Sequence, residues 1–200
     1  MKWVASILCC CCVLYPEFVN AKHSRKSIEY SDTLTWIEDF KKLRSAIYQH
    51  NLENVKGNFK FPVQNPNNEI WYLVLSEDEL SKTNFSGNKL VPFLEKDIEL
   101  YFDKVFPRPF IKSILKIKTE ELYRKGYFET AEQSTDSTNK YKMYVTYKKK
   151  TGLLILNLAY NQTIKDDDGN ILDGAESNVI YYFSIQKNGR LLFKEVRLAG

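Results

Sequence analysis

Residues 141–200 constrain this chain more than any other stretch, because they alternate. In Tyr141-Lys-Met-Tyr-Val-Thr-Tyr147, the residues Tyr141, Met143, Val145 and Tyr147 fall on one face of an extended chain. Lys142, Tyr144, Thr146 and Lys148 fall on the other. A side-chain period of two marks a half-buried strand. Lys148-Lys-Lys-Thr-Gly152 reads as a polar turn closed by glycine. Leu153 to Thr163 is apolar on both faces as far as Leu158, which predicts a central strand covered on both sides. Lys165-Asp-Asp-Asp-Gly-Asn170 breaks it. Asn178 to Gln186 predicts a third strand, with Val179, Tyr181, Phe183 and Ile185 on one side and Ile180 and Tyr182 on the other. Lys187-Asn-Gly189 is a hairpin signal whose Asn and Gly both tolerate positive φ. Arg190 to Leu198 is the last strand. Four strands joined in this order make an antiparallel meander.

The upstream half reads mainly as helical cover for that sheet. Asp32, or Thr35 with Glu38 three residues on, caps a helix that ends near His50-Asn51. Trp36, Phe40, Leu43 and Ile47 give it one apolar face. Phe59 to Val63 reads as extended, Gln64-Asn-Pro-Asn-Asn68 as a turn, and Ile70-Trp-Tyr-Leu-Val-Leu75 as a strand. Ser76-Glu-Asp-Glu79 is a capping box opening a short helix. Leu90 to Phe106 predicts a helix that Pro107 and Pro109 stop. Phe110 to Lys125 reads as helix broken near Thr119, Gly126 to Thr130 as a short strand, and residues 133–139 as a solvated loop.

Residues 1–21 stand apart. Met1-Lys2 is a short positive start, and Trp3 to Leu14 is an apolar run of signal-peptide length, too short to span a bilayer. Val19-Asn-Ala21 places small residues before a cleavage point after Ala21. The expectation is an exported protein, periplasmic or extracellular; an uncleaved anchor and a lipidated cysteine are the competing readings. Residues 22–32 then form a flexible leader and 33–200 one domain. All four cysteines, Cys9 to Cys12, lie in the first segment. Its removal leaves no disulfide, no thiolate metal site and no cysteine nucleophile. The net charge is +4, spread along the chain, so no nucleic acid partner is implied. No glycine-rich phosphate loop, Gly-x-Ser-x-Gly elbow or histidine pair with metal spacing is present. These absences argue against nucleotide, serine-hydrolase and zinc chemistry, and no cofactor is expected.

The order of helix, short paired strands, helices and long meander resembles the NTF2-like and cystatin-like α+β superfamilies, in which a curved antiparallel sheet wraps around helices. Gly189-Arg-Leu-Leu-Phe-Lys-Glu-Val-Arg-Leu-Ala-Gly200 is similar to the terminal strand of many such domains. Phe59-Lys-Phe-Pro-Val63 followed by Glu69-Ile-Trp71 is similar to a pattern in secreted bacterial members of unknown function. The resemblance implies the fold, over residues 33–200, and no particular function.

Several residues invite a functional reading. Enzymes on the NTF2-like scaffold often point an acid or histidine into the cone, and His50 is the one histidine within the expected domain. At a helix end, a histidine also meets the terminal carbonyls. Tyr144, Asn157, Tyr160 and Tyr182 put hydroxyls and an amide on strands, where they orient a ligand in an apolar pocket, bond within the core, or form a dimer surface. Asp166, Asp168 and Asp173 belong to the densest set of oxygen ligands, a candidate calcium site, although an EF-hand register there would put Ile164 and Ala175 at acid positions. Lys148-Lys149-Lys150 would bind an anionic surface only with more positive charge nearby. Asn84-Phe-Ser86 and Asn161-Gln-Thr163 match the glycosylation pattern. The leading expectation is a non-catalytic binding module for a small apolar ligand or a protein, with a homodimer possible and a membrane partner only through lipidation. The alternatives are a small proton-transfer enzyme and an inhibitor or immunity protein.

Overall fold

A computed structural model of the chain describes residues 31–83, 90–136, 138–165 and 171–200; for 31–35, 164–165 and 171–173 it describes the backbone alone. The predicted signal segment, the leader up to residue 30, Asn84, Asp166 and Asp168 lie outside these residues. Helix α1 (Ser31–Tyr48) is followed by α2 (Leu52–Lys56), α3 (Glu69–Val74), α4 (Glu77–Ser81), α5 (Glu95–Val105), α6 (Arg108–Ile114) and α7 (Thr119–Lys125). Strands β1 (Tyr127–Glu129), β2 (Gln133–Ser134), β3 (Asn139–Lys148), β4 (Leu153–Lys165), β5 (Ile171–Ile185) and β6 (Leu191–Ala199) complete the chain. The strands form one antiparallel sheet in the order β1-β3-β4-β5-β6, with β2 on the edge of β3. The fold is α+β, helices packed on an open antiparallel sheet, as expected.

The alternation fixes which face is inside. Tyr141, Met143 and Val145 of β3, Leu154, Leu156 and Leu158 of β4, and Tyr181 and Phe183 of β5 are buried on one face. They line up across the strands as Met143↔Leu158, Val145↔Leu156, Leu156↔Tyr181 and Leu154↔Phe183. The helices lie against this face. Trp36 packs 4.7 Å from the Tyr147 ring, Phe110 packs 4.4 Å from Tyr181, and the Tyr181 hydroxyl donates to the Val105 carbonyl at 2.7 Å. Fully burying aromatic and aliphatic side chains contributes roughly 1.5–3 kcal/mol each, which holds the layers together.

Several expectations are corrected: Gln133 and Ser134, read as loop, pair with Tyr141 and Lys140 as β2, and β5 begins at Ile171 rather than Asn178. Residues 70–75 are not a strand: α3 buries Ile70, Trp71 and Val74 at helical spacing, and the Trp71 indole donates to the Val91 carbonyl at 2.9 Å. Asn67 and Asn68 precede it at φ 54° and 57°, a left-handed pair that turns the chain into the helix. Helix α5 starts at Glu95, not Leu90, because Phe93 pairs with Val63 as an isolated bridge and Asp97 accepts the Leu94 N–H at 2.7 Å. β4 is covered on one face only; Leu153, Ile155 and Asn157 are half-exposed on the other. In the β5–β6 turn only Gly189 has positive φ (78°). The loop runs from Gln186 to Arg190, closed by Gln186 N–H to Arg190 C=O at 2.8 Å. The capping box at Ser76 and Glu79 forms as read, with both backbone and side-chain arms present.

The edge of β6 is closed by the helical half of the chain. The Leu191 N–H donates to Asp39 at 2.7 Å, Phe193 N–H to the Asn58 carbonyl at 2.7 Å, and Leu198 N–H to Glu69 at 2.6 Å. Between them, buried Asn65 accepts the Val196 N–H at 2.7 Å and donates back to the Val196 carbonyl at 3.0 Å, so its amide stands in for a strand. A buried edge needs such partners, since each unpaired backbone group costs about 1–3 kcal/mol.

Candidate functional site

The face of the sheet turned away from the helices gathers three of the five residues proposed for a pocket. The strand register places Tyr144 opposite Asn157, Asn157 opposite Ile180, and Ile155 opposite Tyr182. Tyr144 is 37% exposed, and its neighbours on this face are half-buried. No helix covers it among the described residues. Two cations lie over its aromatic plates: Lys142 Nζ is 5.1 Å from the Tyr144 ring centre, and the Arg197 guanidinium 5.2 Å from that of Tyr182. Such pairs contribute about 0.5–1 kcal/mol at exposed sites.

Each cation is also tied to a carboxylate. Lys142 meets Glu129 at 3.1 Å. Arg197 donates from Nε (3.1 Å) and Nη2 (2.8 Å) to one oxygen of Glu195, a residue only 5% exposed. The register shift between Tyr182 and Phe183 in the β5–β6 pairing brings Glu195 opposite Tyr182. The Oδ1 of Asn157 is buried and has no hydrogen-bond partner among the described residues. Beside it, small Ala159 floors a depression of about 200 Å³ that Lys140, Tyr144, Asn161 and Glu176 rim.

Of the other proposed residues, Tyr160 also lines this depression and His50 lies elsewhere. Tyr160 is on the helix-facing side opposite Tyr141, their rings 6.4 Å apart, and burial pushes its hydroxyl up to about 12. His50 follows α1 at φ 53°, half-exposed, with its ring 4.1 Å from Phe102 and Nδ1 3.7 Å from Asp103. It shares no recess with the tyrosines. Asp173 lies in β5, its side chain outside the described residues along with Asp166 and Asp168. Among the described residues, no group of His, Cys, Asp and Glu is arranged to hold a metal, and no helix is long and apolar enough to cross a membrane.

Glu195 and Arg197 were missed by sequence reasoning. They share the parity of Tyr182 only after the β-bulge is known, although an i, i+2 Glu-x-Arg pair on a strand was visible. The perturbed groups elsewhere have structural causes. Side-chain bonds to Glu99, Glu53 and Glu95 raise the Lys56 ammonium, and the Asn139 and Thr138 bonds hold Asp136 far below the usual carboxylate range. The open face therefore offers stacking surfaces and paired charges.

No family model matches the chain, and no curated protein matches it at a significant level. Among solved structures, the chain is similar to a crystal structure from Shewanella frigidimarina described as a candidate ketosteroid isomerase. That likeness has 13% identity, covers 81% of this chain and 92% of the other, and has a TM-score of 0.32. At that score nothing of the neighbour's site is carried over, and the α+β architecture rests on the strand pairing itself.

Proposed function

We propose that this chain is an exported, non-catalytic binding module of NTF2-like or cystatin-like shape whose open sheet face takes a protein partner. The observation that carries the reading is the contrast between the two faces. The helix-facing side is filled by side chains with essentially no exposure, among them Leu156, Leu158, Tyr181 and Phe183, which leaves a small apolar ligand no cone to enter there. The open side presents Tyr144, Ile155, Ile180, Tyr182 and Arg197, the residue types that anchor protein interfaces. The proton-transfer alternative needs a buried carboxylate or histidine within reach of a recess; Glu132 and Glu176 at the depression beside Tyr144 are exposed, and His50 stands apart from it.

The test is site-specific photo-crosslinking on the exported protein, with the photoreactive residue at Ile180 or Tyr182 and, as a control, at Tyr48, which is 64% exposed on α1. The expected result is one discrete protein adduct from the two sheet positions and none from Tyr48. Native mass spectra that show a retained small ligand, with no adduct from either sheet position, would overturn the reading.

A further inference from the structure

We propose that the end of the sheet carrying the β3–β4 and β5–β6 turns is a contact surface for an anionic phospholipid membrane. This surface is separate from the open face. It rests on a charge distribution that strand pairing creates and the linear sequence hides. The β3–β4 turn exposes Lys148, Lys149 and Lys150. The Ile185 N–H donates to the Gly152 carbonyl at 2.7 Å, so the β5–β6 turn, with exposed Lys187 and Arg190, lies directly beside it.

A third element adds to the same end. The Tyr147 N–H donates to the Gly126 carbonyl at 2.8 Å, which sets the last turn of α7, with exposed Arg124 and Lys125, next to Lys148. Lys42 of α1 shares a cleft with Arg190. The acids nearby are already engaged: Asp39 accepts from Leu191 and Asn58, Glu53 pairs with Lys56, and Glu121 pairs with Lys125. Lys148, Lys149, Lys150, Lys187 and Arg124 have no ion-pair partner among the described residues.

Among the described residues the opposite end exposes Glu132, Asp136 and Glu176, with Lys140 paired to Glu132. The length of β4 separates the two ends by about 40 Å. Charges interact across only about 8–10 Å at physiological salt, so the ends act independently despite the small net charge. Such a molecule orients on an anionic plane with the lysine turns toward it.

One feature favours a membrane over a nucleic acid or another soluble polyanion. The cations sit on turn tips and a helix end, spread over an end of the domain rather than lining a groove.

The experiment is vesicle flotation of the exported protein, in the form its host releases, on phosphatidylcholine with and without phosphatidylglycerol. A variant carrying Lys148→Gln, Lys149→Gln and Lys150→Gln is compared with one carrying Lys82→Gln, Lys96→Gln and Lys104→Gln, which changes net charge equally at exposed positions outside the patch. The expected result is binding that requires phosphatidylglycerol and weakens with salt. A basic residue near such a surface favours binding about fivefold, so the turn variant loses on the order of 100-fold while the control keeps most of its affinity. Equal loss in both variants, binding to phosphatidylcholine alone, or retention on heparin without flotation would each overturn the proposal. None of these outcomes bears on the crosslinks expected at Ile180 and Tyr182.

Discussion

Replacing Asn65 with alanine isolates the device that closes the β6 edge. The side chain is 1% exposed and satisfies both the N–H and the C=O of Val196. Alanine strands two buried backbone groups at about 1–3 kcal/mol each, for a loss of about 2–6 kcal/mol; water entering the vacated space moves the value toward the lower bound. In a domain of this size that lowers the melting midpoint by at least about 4 °C. Urea unfolding followed by tryptophan fluorescence measures it, and an unchanged slope with denaturant shows that the change is one of stability. Asn65→Asp adds an internal check. The carboxylate still accepts from the Val196 N–H but turns a second oxygen toward the Val196 carbonyl. Protonation restores the donor, so the folded-state pKa of the new acid is raised. Its stability deficit is small at low pH and grows as pH rises, whereas the alanine deficit has no such dependence. An alanine variant within about 0.5 kcal/mol of the parent, or aspartate and alanine variants that track each other with pH, would refute the strand-mimic account.

Gly126→Ala places a side chain at φ 75° with its Cβ 3.3 Å from the Tyr147 carbonyl, and should cost about 1–2 kcal/mol in the same urea assay. Lys56→Ala leaves Glu53, Glu95 and Glu99 facing one another, so thermal melts should show destabilisation at neutral pH that shrinks as salt is added. Tyr160, with its hydroxyl pushed up to about 12 by burial, and fully buried Tyr181, pushed well above its ordinary value by burial, hold their protons in the folded state. Their contribution is complete below the ordinary value of 10.0 and declines as pH rises through the folded values. Ultraviolet titration should therefore show a late-ionising group of tyrosines, with Tyr160 and Tyr181 released in step with unfolding.

The meander was legible because its alternation is imposed by burial: Tyr141, Met143 and Val145 face the core as a period of two requires. The strand assigned to residues 70–75 failed for a physical reason. Ile, Trp, Tyr and Val favour strands as a composition, but two left-handed asparagines and the bond from Trp71 to Val91 fix a helix that a run of six residues does not announce. The same rule of two separates Asn157 from Tyr160. Three positions apart on β4, they had to face opposite ways, and Tyr144, Asn157 and Tyr182 share one face of the sheet. The basic end was illegible for a different reason. Lys148 and Lys187 are neighbours only through the pairing of β4 with β5, which no local pattern encodes.

The β6 edge also sets an order of events. Its partners Asp39, Asn58, Asn65 and Glu69 are separated from the groups they bind by 152, 133, 131 and 129 positions. Contacts of that range form late and slowly, because the chain must close its longest loops before they stabilise anything. The seam cannot close until β6 has left the ribosome, however long the helical half has waited. Until then the chain is still open, the state in which the proposed passage across a membrane would find it.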